Sequence, residues 1–182
     1  AGETPLGIRL MGPLCLAIGS LMLARATEDL FPDRKAGPWA AALFNATLLA
    51  GVGAVAMTPD TPLIAFWTAT VWALARLHRS GDGRWWLAVG AFAGAALLSK
   101  YTAALLGLGI VAWLLLDPAA RRWLLRWHLW AGGLLAVAVF SPVVLWNAAH
   151  GWASFAKQGG RAGTVEAGQA LRYLGELIGG QL

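Results

Sequence analysis

Two stretches of this chain, residues 36 to 59 and 127 to 156, contain no Asp, Glu, Lys or Arg. An apolar helix of about 20 residues crosses the ~30 Å hydrocarbon layer of a bilayer, so runs of this length belong either to lipid or to a deeply buried helical core. Composition decides between the two. Of the 182 residues, 58% are apolar and 13% charged, against about 25% charged in an ordinary soluble domain. The charges fall in separated clusters and cannot make the polar shell that a soluble core of this size needs. The expected fold is all-α, a polytopic membrane bundle forming a single transmembrane domain over residues 1 to 182.

Six spans are expected, near residues 8–26, 38–57, 62–78, 84–98, 101–116 and 127–146, followed by an outer-face segment 147–182. The stretch 84 to 116 decides the count, because one helix over it would be ~50 Å long at 1.5 Å per residue. Two helices meeting near Ser99, Lys100 and Tyr101 instead keep Arg25, Arg34, Lys35, Arg76, Arg79, Arg84, Arg121, Arg122 and Arg126 on one side. Short basic loops stay cytoplasmic, so the opposite face receives residues 1–8, the loop Thr58 to Pro62, the break at Lys100 and everything after Trp146. Of the eleven tryptophans, Trp39, Trp85, Trp86, Trp123, Trp127, Trp146 and Trp152 fall near span ends, where indole anchors at the interface. Gly90 and Gly94 allow close helix packing. A net charge of +5 arranged between apolar runs excludes nucleic acid as a partner, and the lone Cys15 offers no disulfide framework.

Three places could carry chemistry. Asp60, in Thr58-Pro59-Asp60-Thr61-Pro62, is either a helix-end charge beside a Thr61 cap and Pro62 at the first helical position, or a carboxylate aimed at a site. Lys100 interrupts a run without other charges. It either snorkels from a hairpin tip or holds an anion, and phosphate is the commonest anion at headgroup depth, with the Tyr101 hydroxyl beside it. The segment from Trp146 to Arg161 mixes aromatics with Asn147, His150, Trp152, Lys157 and Arg161. It suits a carbohydrate or phosphosugar, apolar ring faces meeting aromatics and hydroxyls meeting amides, or else it is an aromatic belt leading into an interfacial helix. Leu171, Leu174, Leu177 and Ile178 form a helical stripe in the tail. No residue set specifies a metal site, and no nucleotide loop is present.

The motifs TPDTPL, GAALLSKYTA and FSPVVLWNAAHGWASFAKQGGR together resemble the bacterial branch of the protein O-mannosyltransferase family, related to the lipid A aminoarabinose transferases within the C-type glycosyltransferase superfamily. The similarity runs from GETPLGIRL to RYLGELIGGQL. It implies a multi-pass enzyme of the bacterial inner membrane. Such an enzyme takes a sugar from a polyprenyl-phosphate donor on the periplasmic face and inverts the anomeric centre, often with a divalent cation. By this resemblance Asp60 is a catalytic position, the second acidic one of the pattern, and Lys100 is the lysine of the intramembrane break, facing phosphate. The resemblance also implies a principal acidic residue upstream of Ala1 and further helices downstream, so the chain is expected to be the central part of a longer enzyme and inactive alone. The sugar and the acceptor are not written in these residues. A transporter or channel segment with an anion site at broken helices, or a structural membrane subunit, are the alternatives of another class.

Overall fold

The computed structural model describes residues 10–32, 34–55 and 58–163, and all regular structure among them is helical. The helices are α1 (Met11–Leu30), α2 (Gly37–Asn45), α3 (Leu48–Val55), α4 (Asp60–Ser80), α5 (Trp85–Ser99), α6 (Ala104–Leu116), α7 (Trp127–Ala149) and α8 (Ala153–Gly163), with 3-10 turns at Tyr101–Ala103 and Ala120–Leu125. The chain groups into two compact units, Ala1–Ser141 and Pro142–Leu182. The stripe expected from Leu171 to Ile178 lies outside the described residues.

The helix bounds follow the expected spans to within a few residues, with one exception. The stretch 38–57, expected as one span, holds two short helices, α2 and α3, among its described residues. Asn45 Nδ2 donates to Ala41 O at 2.8 Å and to Ser20 Oγ of α1 at 2.7 Å. Thr47 Oγ1 donates to Phe44 O at 2.7 Å and accepts the Ala50 N–H at 3.2 Å. Such local side-chain bonds give the backbone an alternative to the helical ladder, and Thr47 caps a new helix. Among the described residues one helix, α7 with 23 residues, is long and apolar enough by itself to cross a membrane. Pro142 lies inside it and cannot donate to Ala138 O, but the Ser141 hydroxyl donates to that carbonyl at 2.7 Å.

Residues 84–116 form two helices, as expected. α5 ends at Ser99, Lys100 is extended at φ −160°, ψ 138°, and the 3-10 turn leads into α6. In the first unit α4 packs between α1 and α5. α5 meets α7 at Gly90 and Gly132, where a Cβ on Gly90 would lie 2.0 Å from Gly132 O, so only glycine lets the backbones touch. The main core gathers Ala73, Leu77, Trp86, Val89, Leu114, Ala120 and Trp123. This corrects the reading of Trp86 and Trp123 as interfacial anchors: both are buried, at 2% and 7% exposure. Each indole packs on the other, edge to face at 6.2 Å, and Trp86 also meets Trp113. Trp39, Trp127, Trp146 and Trp152 do lie exposed. So do Leu105 and Leu108 on α6 and Leu134 and Val137 on α7, an apolar surface of the kind that faces lipid.

Candidate functional site

α4 begins two residues earlier than its sequence suggests, where Thr61 would cap and Pro62 would open the helix. Pro59 holds the N-cap position and Asp60 is the first helical residue, next to the positive end of the peptide dipoles. Thr61 is therefore inside the first turn and not at the cap. It is buried, and its Oγ1 accepts the Thr58 N–H at 3.4 Å. With the two prolines of the loop, these contacts fix where the Asp60 carboxylate projects.

Lys100 reaches the same place from another element. Its N–H closes α5 on Ala96 O, its carbonyl accepts the Ala103 N–H at 3.0 Å, and its extended backbone turns the side chain out of the helical path. Lys100 Nζ donates to Asp60 Oδ1 at 2.5 Å, forming an ion pair across 40 residues of sequence. Both side chains are 41% exposed, so the pair is open to an incoming group. Beneath it lies a small core of Leu63, Ala96 and Ala103. Tyr101 stands beside Lys100 with its ring edge against Phe140, centroids 6.1 Å apart at 90°. One turn below Asp60, Leu63, Ile64, Trp67 and Thr68 line an apolar recess of about 260 Å³ with Phe44. An ammonium here can meet an anion, and the carboxylate it would release can accept a proton or orient a hydroxyl.

The described residues do not by themselves fit a divalent cation at this place. Among them there is no cluster of three His, Cys, Asp or Glu side chains, and the carboxylate of Asp60 already faces an ammonium.

The second unit holds the other residues expected to bind substrate. α7 ends at Ala149, and the turn through Gly151 (φ 63°) and Trp152 (φ 59°) reverses the chain into α8. Asn147 builds that turn. It is fully buried; its Nδ2 donates to Val143 O at 2.9 Å, and its Oδ1 accepts the Ser154 N–H at 3.1 Å. Its carbonyl accepts the Trp152 N–H at 2.8 Å. The His150 ring stacks on Trp146 (centroids 4.2 Å, 10°), and its Nδ1 lies 2.8 Å from Trp146 O. A carbonyl only accepts, so Nδ1 is the donor in this contact. Trp152 and Phe155 pack at 5.8 Å, both exposed, and Lys157 is exposed on α8, which also carries Arg161.

The sequence reading passed over a second charged cluster in the first unit. Asp29, with a 6% exposed side chain, accepts from Arg76 Nη1 at 3.2 Å and Arg79 Nη1 at 2.8 Å, joining α1 to α4. Arg76 and Arg79 are three apart on one helix face, a signal that an acidic partner on a neighbouring helix could have been sought.

The sequence matches the family of dolichyl-phosphate-mannose-protein mannosyltransferases over residues 1–146. No curated protein matches, and no solved structure does.

Proposed function

The chain belongs to the dolichyl-phosphate-mannose-protein mannosyltransferase family, a family of membrane glycosyltransferases, and on that premise we propose that it transfers a sugar from a polyprenyl-phosphate donor to an acceptor hydroxyl or amine. The ion pair between Asp60 and Lys100 at the helix break carries this reading. In the transfer, the acceptor oxygen or nitrogen bonds to the anomeric carbon as the bond from that carbon to the phosphate oxygen breaks. The electron pair leaves on the phosphate, where the Lys100 ammonium stabilises the developing charge. Asp60, released from Lys100 by the incoming phosphate, accepts a hydrogen bond from the acceptor group, orients it and takes the proton it loses as the new bond forms. In the second unit the exposed ring pairs Trp146–His150 and Trp152–Phe155, with Lys157, are suited to stacking on sugar rings.

The same reading has six crossings, with α2 and α3 together making one, in a bacterial inner membrane, and the Asp60 end facing the periplasm. Cysteine at Arg84 and at Gln158, in a Cys15-free background, should then label from opposite sides with an impermeant reagent.

Donor affinity of the full-length protein in nanodiscs tests the site. Lys100→Met should weaken a polyprenyl-phosphate sugar by about 1.5 to 3 kcal/mol, the range for hydrogen bonds to charged groups, and Lys100→Arg should keep part of that affinity. Equal affinity in wild type and the Met variant removes Lys100 from the donor site.

A further inference from the structure

At the other end of α5, about 22 Å from Lys100 at 1.5 Å per residue of a 15-residue helix, lies a recess that the transfer reaction does not use. It has a volume of about 220 Å³ and is lined by Gly81, Gly83, Arg122, Trp123, Arg126 and His128. The chain builds it from three local features. Gly81 closes α4 in the left-handed conformation (φ 66°), and Asp82 Oδ1 accepts the Arg84 N–H at 3.0 Å, which folds the turn so that Gly83 lies over the His128 imidazole. A Cβ on Gly83 would be 2.7 Å from His128 Cγ. The 3-10 turn Ala120–Leu125 then brings Arg122 and Arg126 to the recess just before α7 begins, where the first N–H groups of that helix have no intrahelical acceptor.

The carboxylate of Asp82, in the same turn, is turned to Arg84, Oδ1 3.8 Å from its Nε. Arg121 is committed, donating through Nε and Nη2 to Leu115 O at 2.9 and 2.7 Å. Arg122 and Arg126 form no ion pair with any described residue; Arg122 only lies over the Trp123 ring, at 5.2 Å. The carboxylate of Asp29 in the same unit is already shared by Arg76 and Arg79. His128 Nδ1 is buried and has no hydrogen-bond partner among the described residues. Two guanidiniums and the positive end of a long helix converge on one small polar recess, the donor set for a phosphate group.

We propose that this recess binds the phosphate of an anionic lipid headgroup. Its size suits a phosphate and part of its glycerol, since pockets for whole small molecules run about 300 to 1,000 Å³. The surroundings favour a lipid over a free anion. Leu125, Trp127 and Trp130, at 91%, 65% and 63% exposure, flank the turn and give acyl chains an apolar surface to lie on. The site would hold one end of the bundle at the headgroup plane on the face opposite Asp60. It rests on the membrane reading of the chain but not on the roles of Asp60 and Lys100.

The test is titration of the full-length protein in neutral detergent with short-chain phosphatidylglycerol, short-chain phosphatidylcholine and inorganic phosphate in turn. Wild type should bind phosphatidylglycerol saturably and at least about tenfold more tightly than either of the others, and the Arg122→Gln/Arg126→Gln variant should lose about tenfold or more of that affinity. Arg25→Gln/Arg34→Gln, which removes the same charge elsewhere, should keep it. Arg122→Lys/Arg126→Lys, which preserves charge and so guards against a folding defect, should bind with intermediate affinity. Equal loss in both Gln pairs, or no loss in either, would mean diffuse surface attraction and overturn the site. Inorganic phosphate binding as tightly as the lipid would overturn the lipid assignment. Neither result touches donor affinity at Lys100.

Discussion

The two ends of the α4–α5 helix pair are built in opposite ways. At the Gly81–Gly83 end, Trp86, Trp123 and Trp113 interlock with Ala73, Leu77 and Leu114, and a buried Asp29 ties two arginines of α4 to α1. At the Asp60 end the buried core is smaller, Leu63, Ala96 and Ala103 with Phe66, Trp67 and Leu97 partly buried against them, and the charged pair above is two-fifths exposed. One end is stabilised by close packing. The other is lightly packed, and its polar groups are satisfied by each other in a way that an incoming phosphate can replace. On the proposed function, stability and chemistry are divided along the same two helices, and substitutions at the two ends should move different observables.

The largest stability effect belongs to the packed end. Trp86→Ala should cost about 3 kcal/mol in reversible unfolding in mild detergent, the lower part of the range for large-to-small core changes, because lipid or detergent reduces the transfer contribution. A loss below that of Asp60→Asn would dissolve the contrast. Next is the helix contact between the ends: Gly90→Ala forces the α5 and α7 backbones apart at a point where a Cβ would sit 2.0 Å from Gly132 O, an overpacking cost of about 1 to 3 kcal/mol. Crosslinking between cysteines introduced on α5 and α7 should fall in parallel with stability.

Asp29→Asn removes a buried carboxylate from two arginines that are themselves 42% and 51% exposed. Solvent screens those partners, so the expected loss is about 1 to 2 kcal/mol, well short of a fully buried pair. Sugar transfer per folded molecule should be unchanged. Asp60→Asn should show the reverse. An exposed ion pair contributes under about 1 kcal/mol, so the unfolding midpoint should scarcely move while transfer by the full-length enzyme falls at least about tenfold, the lower edge of what an orienting carboxylate supplies. Wild-type transfer in the Asn variant would reduce Asp60 to a helix-end charge and leave the lightly packed end without a function.

Much of this molecule is written locally. The uncharged runs give the helices to within a few residues, and the Lys100 break follows from the length a single helix over 84–116 would need. The small residues at 90 and 94 mark a helix contact before any partner is known. The division of residues 38–57 was not legible, because Asn45 and Thr47 are polar enough to rearrange the backbone yet not charged, and charge was the signal being read. The burial of Trp86 and Trp123 escaped for a related reason: a tryptophan near a span end looks the same whether it faces headgroups or another indole.

What the sequence alone determined is therefore most of the helices, the break at Lys100 and the family to which the motifs belong, since periodicity, charge spacing and turn chemistry act over a few neighbouring residues. The tertiary structure decided which residues meet. The Asp60–Lys100 pair joins positions 40 apart, Asp29 selects arginines 47 and 50 residues away, and Gly83 comes to lie over His128. Between apolar helices in lipid there is little hydrophobic preference for one face over another, so the pairing is set by close backbone approach at small residues and by a few polar contacts, and these have no address until the helices are packed.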